Sequence, residues 1–166
     1  ERELMDDEFL INANGALLFN SDKTICILIN GLDDIKIQVI GYNDIKGLYK
    51  IANEIDDTLE SHLEYAFDKD LGYLTTCPVN VGTGLKVTNT VHIPSIEKLK
   101  QVDDYYKIAH KIGVNFKGVY GKTKSILGSL YKISNTIMIG RSEENIIQSV
   151  ESISNDLSKR EFESRE

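Results

Sequence analysis

The sequence predicts an α+β domain in which an antiparallel sheet is covered by helices. Two observations predict this class. Short apolar runs rich in β-branched residues cluster before residue 41 and again between residues 86 and 138. Longer segments with apolar residues at helical spacing interrupt and follow these clusters. Strand clusters interleaved with long helices are typical of an antiparallel sheet with helices packed on it.

The first elements are predicted to be three antiparallel strands. Residues 15–20 and 24–29 are apolar runs, and the polar segment Ser21-Asp22-Lys23 between them indicates a hairpin turn. In residues 35–40 apolar and polar side chains alternate, as they do on a half-buried strand.

A long helix is predicted next, with Asn43 as its candidate N-cap. Apolar residues then recur at helical spacing over about five turns. The residues of this apolar face are Ile45, Leu48, Tyr49, Ala52, Ile55, Leu59 and Leu63.

The middle of the chain is predicted to hold two strands, a loop and a second helix. A short strand at 73–75 leads into a loop with proline and glycines at 77–84, and another strand covers 86–93. Pro94 suits the first turn of a second helix, which we expect to end near Gly113.

The last part is predicted to contain two strands and a third helix. The strands lie near 114–119 and 129–138, and the helix begins after Ser142 and carries apolar residues as far as Leu157. We therefore expect a lead-in at 1–14, a domain over 15–158 and a polar tail at 159–166.

Composition limits the classes of function. With 41% apolar and 27% charged residues, the chain is expected to be a soluble globular domain. Its net charge of −7 disfavours general nucleic-acid binding. No apolar run approaches the roughly 20 residues of a membrane span, and no secretory signal is seen, so we expect a cytoplasmic protein without a membrane partner. Because the chain opens on Glu1, we expect it to be cut from a longer one.

Cysteine and histidine spacing predicts neither a disulfide framework nor a metal site. Cys26 and Cys77 have no close-spaced cysteine or histidine partner, and the three histidines lie far apart. Both cysteines are expected to be free thiols.

The most specific motif is the segment 71–86, which reads Leu-Gly-Tyr-Leu-Thr-Thr-Cys-Pro-Val-Asn-Val-Gly-Thr-Gly-Leu-Lys. A Cys-Pro pair or a Gly-Thr-Gly turn alone would be weak evidence, but the whole string in order resembles the signature of the ATP:guanidino phosphotransferases. Ala66-Phe67-Asp68 before it is similar to the bacterial protein arginine kinases. Further matches lie at 117–121 and 133–135.

This resemblance implies a large antiparallel sheet flanked by helices, of the glutamine-synthetase-like type, and phosphoryl transfer from ATP with Mg²⁺ to arginine side chains. It assigns Cys77 as a thiol that contacts the substrate, and it matches Asp33 to a family acid. The positions implied for nucleotide binding are Lys36, Lys86, Lys117, Gly82, Thr83 and Gly84. The implied partners are protein substrates or regulatory proteins, with a dimer possible, and an N-terminal part of the family's chain is absent here.

The sequence departs from the family pattern where the carboxylates belong. The family's Asn-Glu-Glu-Asp-His string corresponds here to residues 30–34, so Gly31 and Leu32 replace the two glutamates. Lys122 replaces a further acid and would repel a cationic substrate. Lysines also replace the three phosphate-binding arginines. Lysine keeps the charge but not the rigid two-pronged geometry.

Several alternatives stay open from the sequence. Cys77 is either a site residue or a small packing residue. The glycine turn either approaches phosphates or only reverses the chain, and the lysines reflect either function or a lysine-rich composition. The polar end is either the start of a further C-terminal region or a frayed helix. Two functions follow: an impaired arginine kinase, or a non-catalytic module that binds nucleotide, phosphoarginine or a partner kinase.

Overall fold

The computed structural model describes residues 14–42, 44–122 and 125–165, although the side chains of 121, 122 and 125 are outside this description. The chain divides into two compact units, with the boundary between Val81 and Gly82. Each unit is described by itself.

The first unit contains a three-stranded antiparallel sheet. Its strands are β1 (Ala16–Phe19), β2 (Ile25–Ile29) and β3 (Ile35–Val39), in the order β1-β2-β3. The predicted hairpin is confirmed, because β1 and β2 pair in antiparallel register. The side chain of Asn20 stabilises the turn by accepting hydrogen bonds from the N–H groups of Thr24 and Ile25 at 2.9 and 3.0 Å.

The predicted long helix is present as α1 (Ile45–Glu60), which packs on β3. The N-cap prediction is wrong. Asn43 lies outside the described residues, and the cap is Asp44, whose carboxylate accepts from the N–H of Gly47 at 2.8 Å. An aspartate there satisfies an N–H that has no partner within the helix. Leu63, placed on the helix by its spacing, lies beyond the C-cap Ser61.

A small hairpin that the sequence analysis did not predict follows α1. Strands β4 (Phe67–Asp68) and β5 (Gly72–Tyr73) pair around a turn in which the carboxylate of Asp68 accepts from the N–H groups of Asp70 and Leu71. The strand predicted at 73–75 is therefore shorter and begins earlier. A single turn of 3-10 helix at Pro78–Asn80 ends the unit.

The second unit is built on another three-stranded antiparallel sheet. In chain order its elements are β6 (Thr88–His92), α2 (Pro94–Lys98), α3 (Val102–Lys111), β7 (Val114–Gly118), the hairpin β8 (Gly121–Lys122) and β9 (Ser125–Ile126), β10 (Leu130–Asn135) and α4 (Glu143–Glu163). The sheet order is β6-β10-β7. The α+β class predicted from the sequence is thus confirmed, with helices flanking antiparallel sheets.

The prediction of one uninterrupted helix from Pro94 to Gly113 is wrong. The chain forms two helices, α2 and α3, because Lys100 adopts a left-handed backbone with a φ of 59°. The N–H of Gln101 then donates to the carbonyl of Ile96 at 3.1 Å, which closes the end of α2. The break lets Ile96 on α2 and Tyr105 on α3 both reach the core.

The core of the second unit lies between the sheet and its helices. Phe116 and Tyr131 stack with centroids 5.0 Å apart on the apolar face of the sheet. Helix α4 begins at the N-cap Ser142, as predicted, and continues past Leu157 through Glu163. Most of the segment for which a polar tail was predicted is therefore helical, and Glu161 within it is buried. Among the described residues no helix combines the length and the apolar character needed to cross a bilayer.

Candidate functional site

The first unit contains a clasp, by which we mean the hydrogen bonds between Asp33 and the Cys77 loop. One carboxylate oxygen of Asp33 accepts from the N–H of Cys77 at 2.8 Å, and the other accepts from the side-chain amide of Asn80 at 2.5 Å. Thr75 also donates its hydroxyl to the carbonyl of Cys77 at 2.7 Å. The two residues that the resemblance assigned to catalysis are thus brought together, 44 positions apart in the chain. Through these bonds Asp33 holds the backbone at Cys77 and the side chain of Asn80.

The hydrogen bonds of Asp33 lead to a prediction about the reactivity of the Cys77 thiol. We expect Asp33→Asn to speed alkylation of Cys77 in the native protein about tenfold, since an amide cannot accept both hydrogen bonds and one lost charge-assisted bond is worth about 1.5–3 kcal/mol. The measurement is the rate of iodoacetamide labelling followed by mass spectrometry. Cys26, which is 0% exposed, should stay unlabelled unless the protein unfolds.

The matched control is Asp34→Asn, because Asp34 is the exposed neighbouring carboxylate. It should leave the labelling rate unchanged. Equal rates for the Asp33 variant and the parent protein would show that Asp33 does not hold the loop.

The turn between β2 and β3 carries Gly31 and Leu32, the two positions at which the resemblance leads us to expect glutamates. Asn30 has a left-handed backbone with a φ of 54°, and its N–H donates to the carbonyl of Asp34 at 2.9 Å. Gly31 and Leu32 follow within this turn, and Leu32 is 48% exposed. The backbone turn is formed, but Gly31 has no side chain and that of Leu32 is apolar, so neither position supplies a proton acceptor or a negative charge.

Lys36 lies on β3 in the first unit, opposite Leu28 in the register with β2. Burial raises the pKa of the neighbouring Cys26 thiol, and the positive charge of Lys36 acts in the opposite direction. Lys36 belongs to the first unit, whereas Lys86 and Lys117, the other two lysines of the predicted phosphate site, belong to the second.

The glycine turn opens the second unit, and its first residue is required by packing. Gly82 is buried with a φ of 119°, and a Cβ there would lie 2.6 Å from the backbone nitrogen of Ile139. Gly84 also has a positive φ, of 65°, but a Cβ there would meet open space. The hydroxyl of Thr83 accepts from the N–H of Leu85 at 3.2 Å. Gly82 therefore has a structural reason for its identity that is independent of nucleotide.

Lys86 is held by Asn135, a buried residue at the end of β10. The side chain of Asn135 accepts from the N–H of Val87 at 2.8 Å and donates to the carbonyl of Leu85 at 2.9 Å. These two hydrogen bonds fix the backbone on either side of Lys86. The ammonium of Lys86 also donates to the backbone carbonyl of Asn135 at 2.8 Å.

Lys86 and Lys117 are electrostatically coupled. Residue Lys86 is exposed as a whole, but its ammonium lies against the protein, and this partial burial lowers its pKa. The positive charge of Lys117 on β7 lowers it further. Two of the three lysines matched to phosphate-binding positions thus share one region of the second unit. The backbone of Lys122 lies in β8, and its side chain is outside the described residues.

These residues fit the phosphate part of a nucleotide in their donor chemistry. Lysine ammonium groups bind phosphate oxygens as mobile point charges. Asp33 does not supply a free carboxylate for a guanidinium, because both of its oxygens accept hydrogen bonds from the protein itself. Among the described residues, no group of three His, Cys, Asp or Glu side chains is arranged to hold a metal ion.

Comparison with known proteins establishes the class. The sequence model of the ATP:guanido phosphotransferase C-terminal catalytic domain matches residues 2–164. The chain belongs to this family, as the Thr-Cys-Pro segment predicted.

Within this family, the chain is similar to bacterial protein-arginine kinases. The protein-arginine kinase of Clostridium novyi (strain NT) is 40% identical over 169 residues, covering 100% of this chain and 49% of that protein. That of Clostridium kluyveri is 38% identical over 168 residues, covering 100% and 49%. The chain spans about half the length of the curated relatives it matches.

Solved structures of guanidino kinases share the fold. The duplicated taurocyamine kinase of Schistosoma mansoni, solved with transition state analog components, aligns with a TM-score of 0.73 at 26% identity, covering 89% of this chain and 20% of that one. A lombricine kinase aligns with a TM-score of 0.69 at 25% identity, covering 88% and 41%.

Sequence reasoning missed two residues that shape the site. Asn80 and Asn135 both lie inside quoted motif segments, but nothing in their local spacing indicates a hydrogen bond to a residue more than 40 positions away. The available signals were weak: Asn80 follows closely after Pro78, and Asn135 stands at the end of a predicted strand.

Proposed function

We propose that this chain is the C-terminal half of a protein-arginine-kinase-like phosphotransferase that retains binding of anionic ligands and has lost most of its capacity for phosphoryl transfer. The observation that carries the proposal is the contrast between residues that are well placed within their own unit and carboxylates that are missing. The clasp of Asp33 on the Cys77 loop and the Lys86–Lys117 region are well formed, whereas the turn at Gly31 and Leu32 offers no carboxylate.

The chemistry of guanidinium transfer makes the missing carboxylates decisive. An arginine side chain has a pKa far above neutral pH, so it becomes a nucleophile only when a positioned base orients it and accepts its proton. Such a base contributes about 10²- to 10⁴-fold to a rate. Lysines in place of arginines also lose the bidentate geometry that aligns a transferring phosphoryl group.

The same lysines support retention of a ligand. Phosphate binding depends mainly on positive charge, which lysine keeps, and Mg²⁺ would arrive with the nucleotide phosphates. We propose ATP as the nucleotide and phosphoarginine as the competing ligand. In the cytoplasm the module would then act beside protein partners, either a substrate, a regulator or a catalytically competent kinase copy.

The test combines binding with transfer, using the chain with its natural flanking sequence. We expect calorimetry to detect ATP or phosphoarginine, and we expect transfer of labelled phosphate from ATP to arginine residues of a protein substrate to stay near background. Efficient transfer would overturn the proposal in favour of an active kinase. Absence of measurable binding of both ATP and phosphoarginine would overturn the proposal in favour of a purely structural role.

A gain-of-function variant tests the stated cause. Gly31→Glu, Leu32→Glu and Lys122→Glu combined should raise transfer about 10²-fold or more if the carboxylates are the main loss. The matched control is Lys111→Glu, which changes an exposed lysine elsewhere to glutamate. It should leave the transfer rate unchanged. An unchanged rate in the triple variant would show that the missing carboxylates are not the whole defect.

A further inference from the structure

The hairpin of β4 and β5 carries exposed apolar side chains in the first unit. Phe67 lies directly opposite Tyr73 in the register of the two strands, and their rings meet edge to face with centroids 5.2 Å apart. Phe67 is nevertheless 61% exposed. Three leucines within the hairpin or close to it in the chain are exposed as well. We call these four residues the hairpin surface: Leu63, Phe67, Leu71 and Leu74.

Two tyrosines hold the hairpin against helix α1. The hydroxyl of Tyr65 donates to the carboxylate of Asp56 at 3.1 Å, and the hydroxyl of Tyr73 donates to that of Glu60 at 3.4 Å. The two tyrosine rings also meet edge to face, with centroids 5.9 Å apart. An exposed aromatic ring on a hairpin that is already held in place loses little freedom when a partner binds. Such rings are favoured at protein interfaces.

The charges around the hairpin surface are almost all negative. Residues 51–81 contain seven carboxylates and a single lysine, Lys69. The carboxylates are Glu54, Asp56, Asp57, Glu60, Glu64, Asp68 and Asp70. Complementary charge favours a partner, and like charge disfavours it. The hairpin surface therefore suits a cationic partner better than a second copy of this chain, whose net charge is −7.

We propose that the hairpin surface docks a segment of a partner protein that combines arginine or lysine with apolar side chains. A guanidinium or ammonium group over the ring of Phe67 gains a cation–π contact, and the surrounding carboxylates supply the opposite charge. The exposed leucines offer contacts to the apolar side chains of the segment. The inference deepens the proposed function and rests on it in one respect, since it names the chemistry of the protein partner. It does not involve the binding of phosphate.

The experiment measures binding of a fluorescein-labelled peptide of alternating arginine and leucine to the chain with its natural flanking sequence. Fluorescence anisotropy gives the affinity at low and at physiological ionic strength. The parent chain is expected to bind this peptide about tenfold more tightly than peptides with glutamine for arginine or serine for leucine, and salt should weaken the binding.

Two variants locate the binding on the hairpin surface. Phe67→Ser is expected to weaken binding of the arginine and leucine peptide about fivefold to tenfold, because it removes the exposed ring. Glu64→Lys, which reverses an exposed charge beside the hairpin, should weaken it as well and reduce its dependence on salt. Circular dichroism melting of each variant establishes that it is folded.

The matched controls are Phe162→Ser and Glu144→Lys on helix α4. Phe162 is 72% exposed, and Glu144 is an exposed carboxylate. Both variants should bind the peptide as the parent chain does. If Phe67→Ser and Glu64→Lys bind it as tightly as these controls, the hairpin surface is not the docking site and the inference is overturned.

Two further results would also overturn the inference. Equal affinity for the glutamine peptide would show that the surface takes a neutral apolar partner. A dimer of the parent chain in sedimentation equilibrium, dissociated by Phe67→Ser, would show that a second copy covers the surface.

Calorimetry with ATP and phosphoarginine on the same samples separates this inference from the proposed function. Binding of either ligand without binding of the peptide would overturn only the docking surface. Binding of the peptide without either ligand would support the docking surface and overturn ligand retention.

Discussion

Replacing Glu161 by alanine is expected to lower the free energy of unfolding by about 2–4 kcal/mol. Glu161 lies on α4 and is only 4% exposed. Its carboxylate accepts from the N–H of Ser95 at 3.0 Å and from the N–H of Ile96 at 3.1 Å, so it caps the first turn of α2 from another helix. Arg165 adds a third hydrogen bond at 3.1 Å. Each buried donor left without a partner costs about 1–3 kcal/mol.

Urea denaturation followed by circular dichroism measures this loss. The matched control is Glu163→Ala, because Glu163 lies two residues further along the same helix with a side chain that is 60% exposed. It should change stability by no more than about 0.5 kcal/mol. Equal losses in the two variants would contradict a special role for Glu161.

The same contact has a defined pH dependence. Burial favours a raised pKa for Glu161, but the hydrogen bonds from Ile96, Ser95 and Arg165 together outweigh it and lower the pKa below its ordinary value of 4.5. A carboxylate with a lowered pKa in the folded state contributes stability above its unfolded pKa, and that stability is lost as pH falls through the folded value. Glu161→Gln should therefore be less stable than the parent at pH 7, and the difference should shrink at pH values below about 4. A constant difference across this range would show that the charge is not its source.

The second large effect is expected at Asn135, which is 2% exposed. Asn135→Ala should lower the free energy of unfolding by about 2–4 kcal/mol, because it leaves the N–H of Val87 and the carbonyl of Leu85 without their side-chain partner. Asn135→Asp should also destabilise, since an ionised carboxylate cannot donate and would face the Leu85 carbonyl. Both losses are measured by urea denaturation.

Asn115→Ala is the matched control for Asn135, because Asn115 is a partly exposed asparagine on the neighbouring strand β7. It should change stability by about 0.5 kcal/mol or less. The Asn135 variants should in addition weaken ATP binding, since the two lost bonds flank Lys86 on either side. Full binding by a folded Asn135→Ala protein would contradict the role of this residue in placing Lys86.

Sequence patterns predicted the elements whose causes are local. The hairpin of β1 and β2, the amphipathic helix α1 and the start of α4 at Ser142 follow from turn residues, side-chain alternation and capping, each of which acts within a few positions. The segment around Cys77 also predicted the family, because its order of residues is specific. The misplaced cap at Asn43 is an error of one residue, between two residue types that both favour the N-cap.

Local patterns failed where a distant residue decides the structure. The apolar spacing of Ile96, Leu99 and Val102 is compatible with one continuous helix, yet Lys100 turns into the left-handed region and α2 begins and ends on its own. Part of the reason lies 65 residues away, where Glu161 supplies the cap that satisfies the start of α2. The spacing of apolar residues around α2 cannot indicate a hydrogen-bond partner as distant in the chain as Glu161.

The sequence by itself determined the fold class and the family, since these depend on which residues occur and in what order. Only the tertiary structure decided what the remaining residues do. It made Asp33 the clasp of the Cys77 loop and brought Asn135 beside Lys86, because hydrogen bonds join residues that are far apart in the chain. The chemistry of a site depends on those distances.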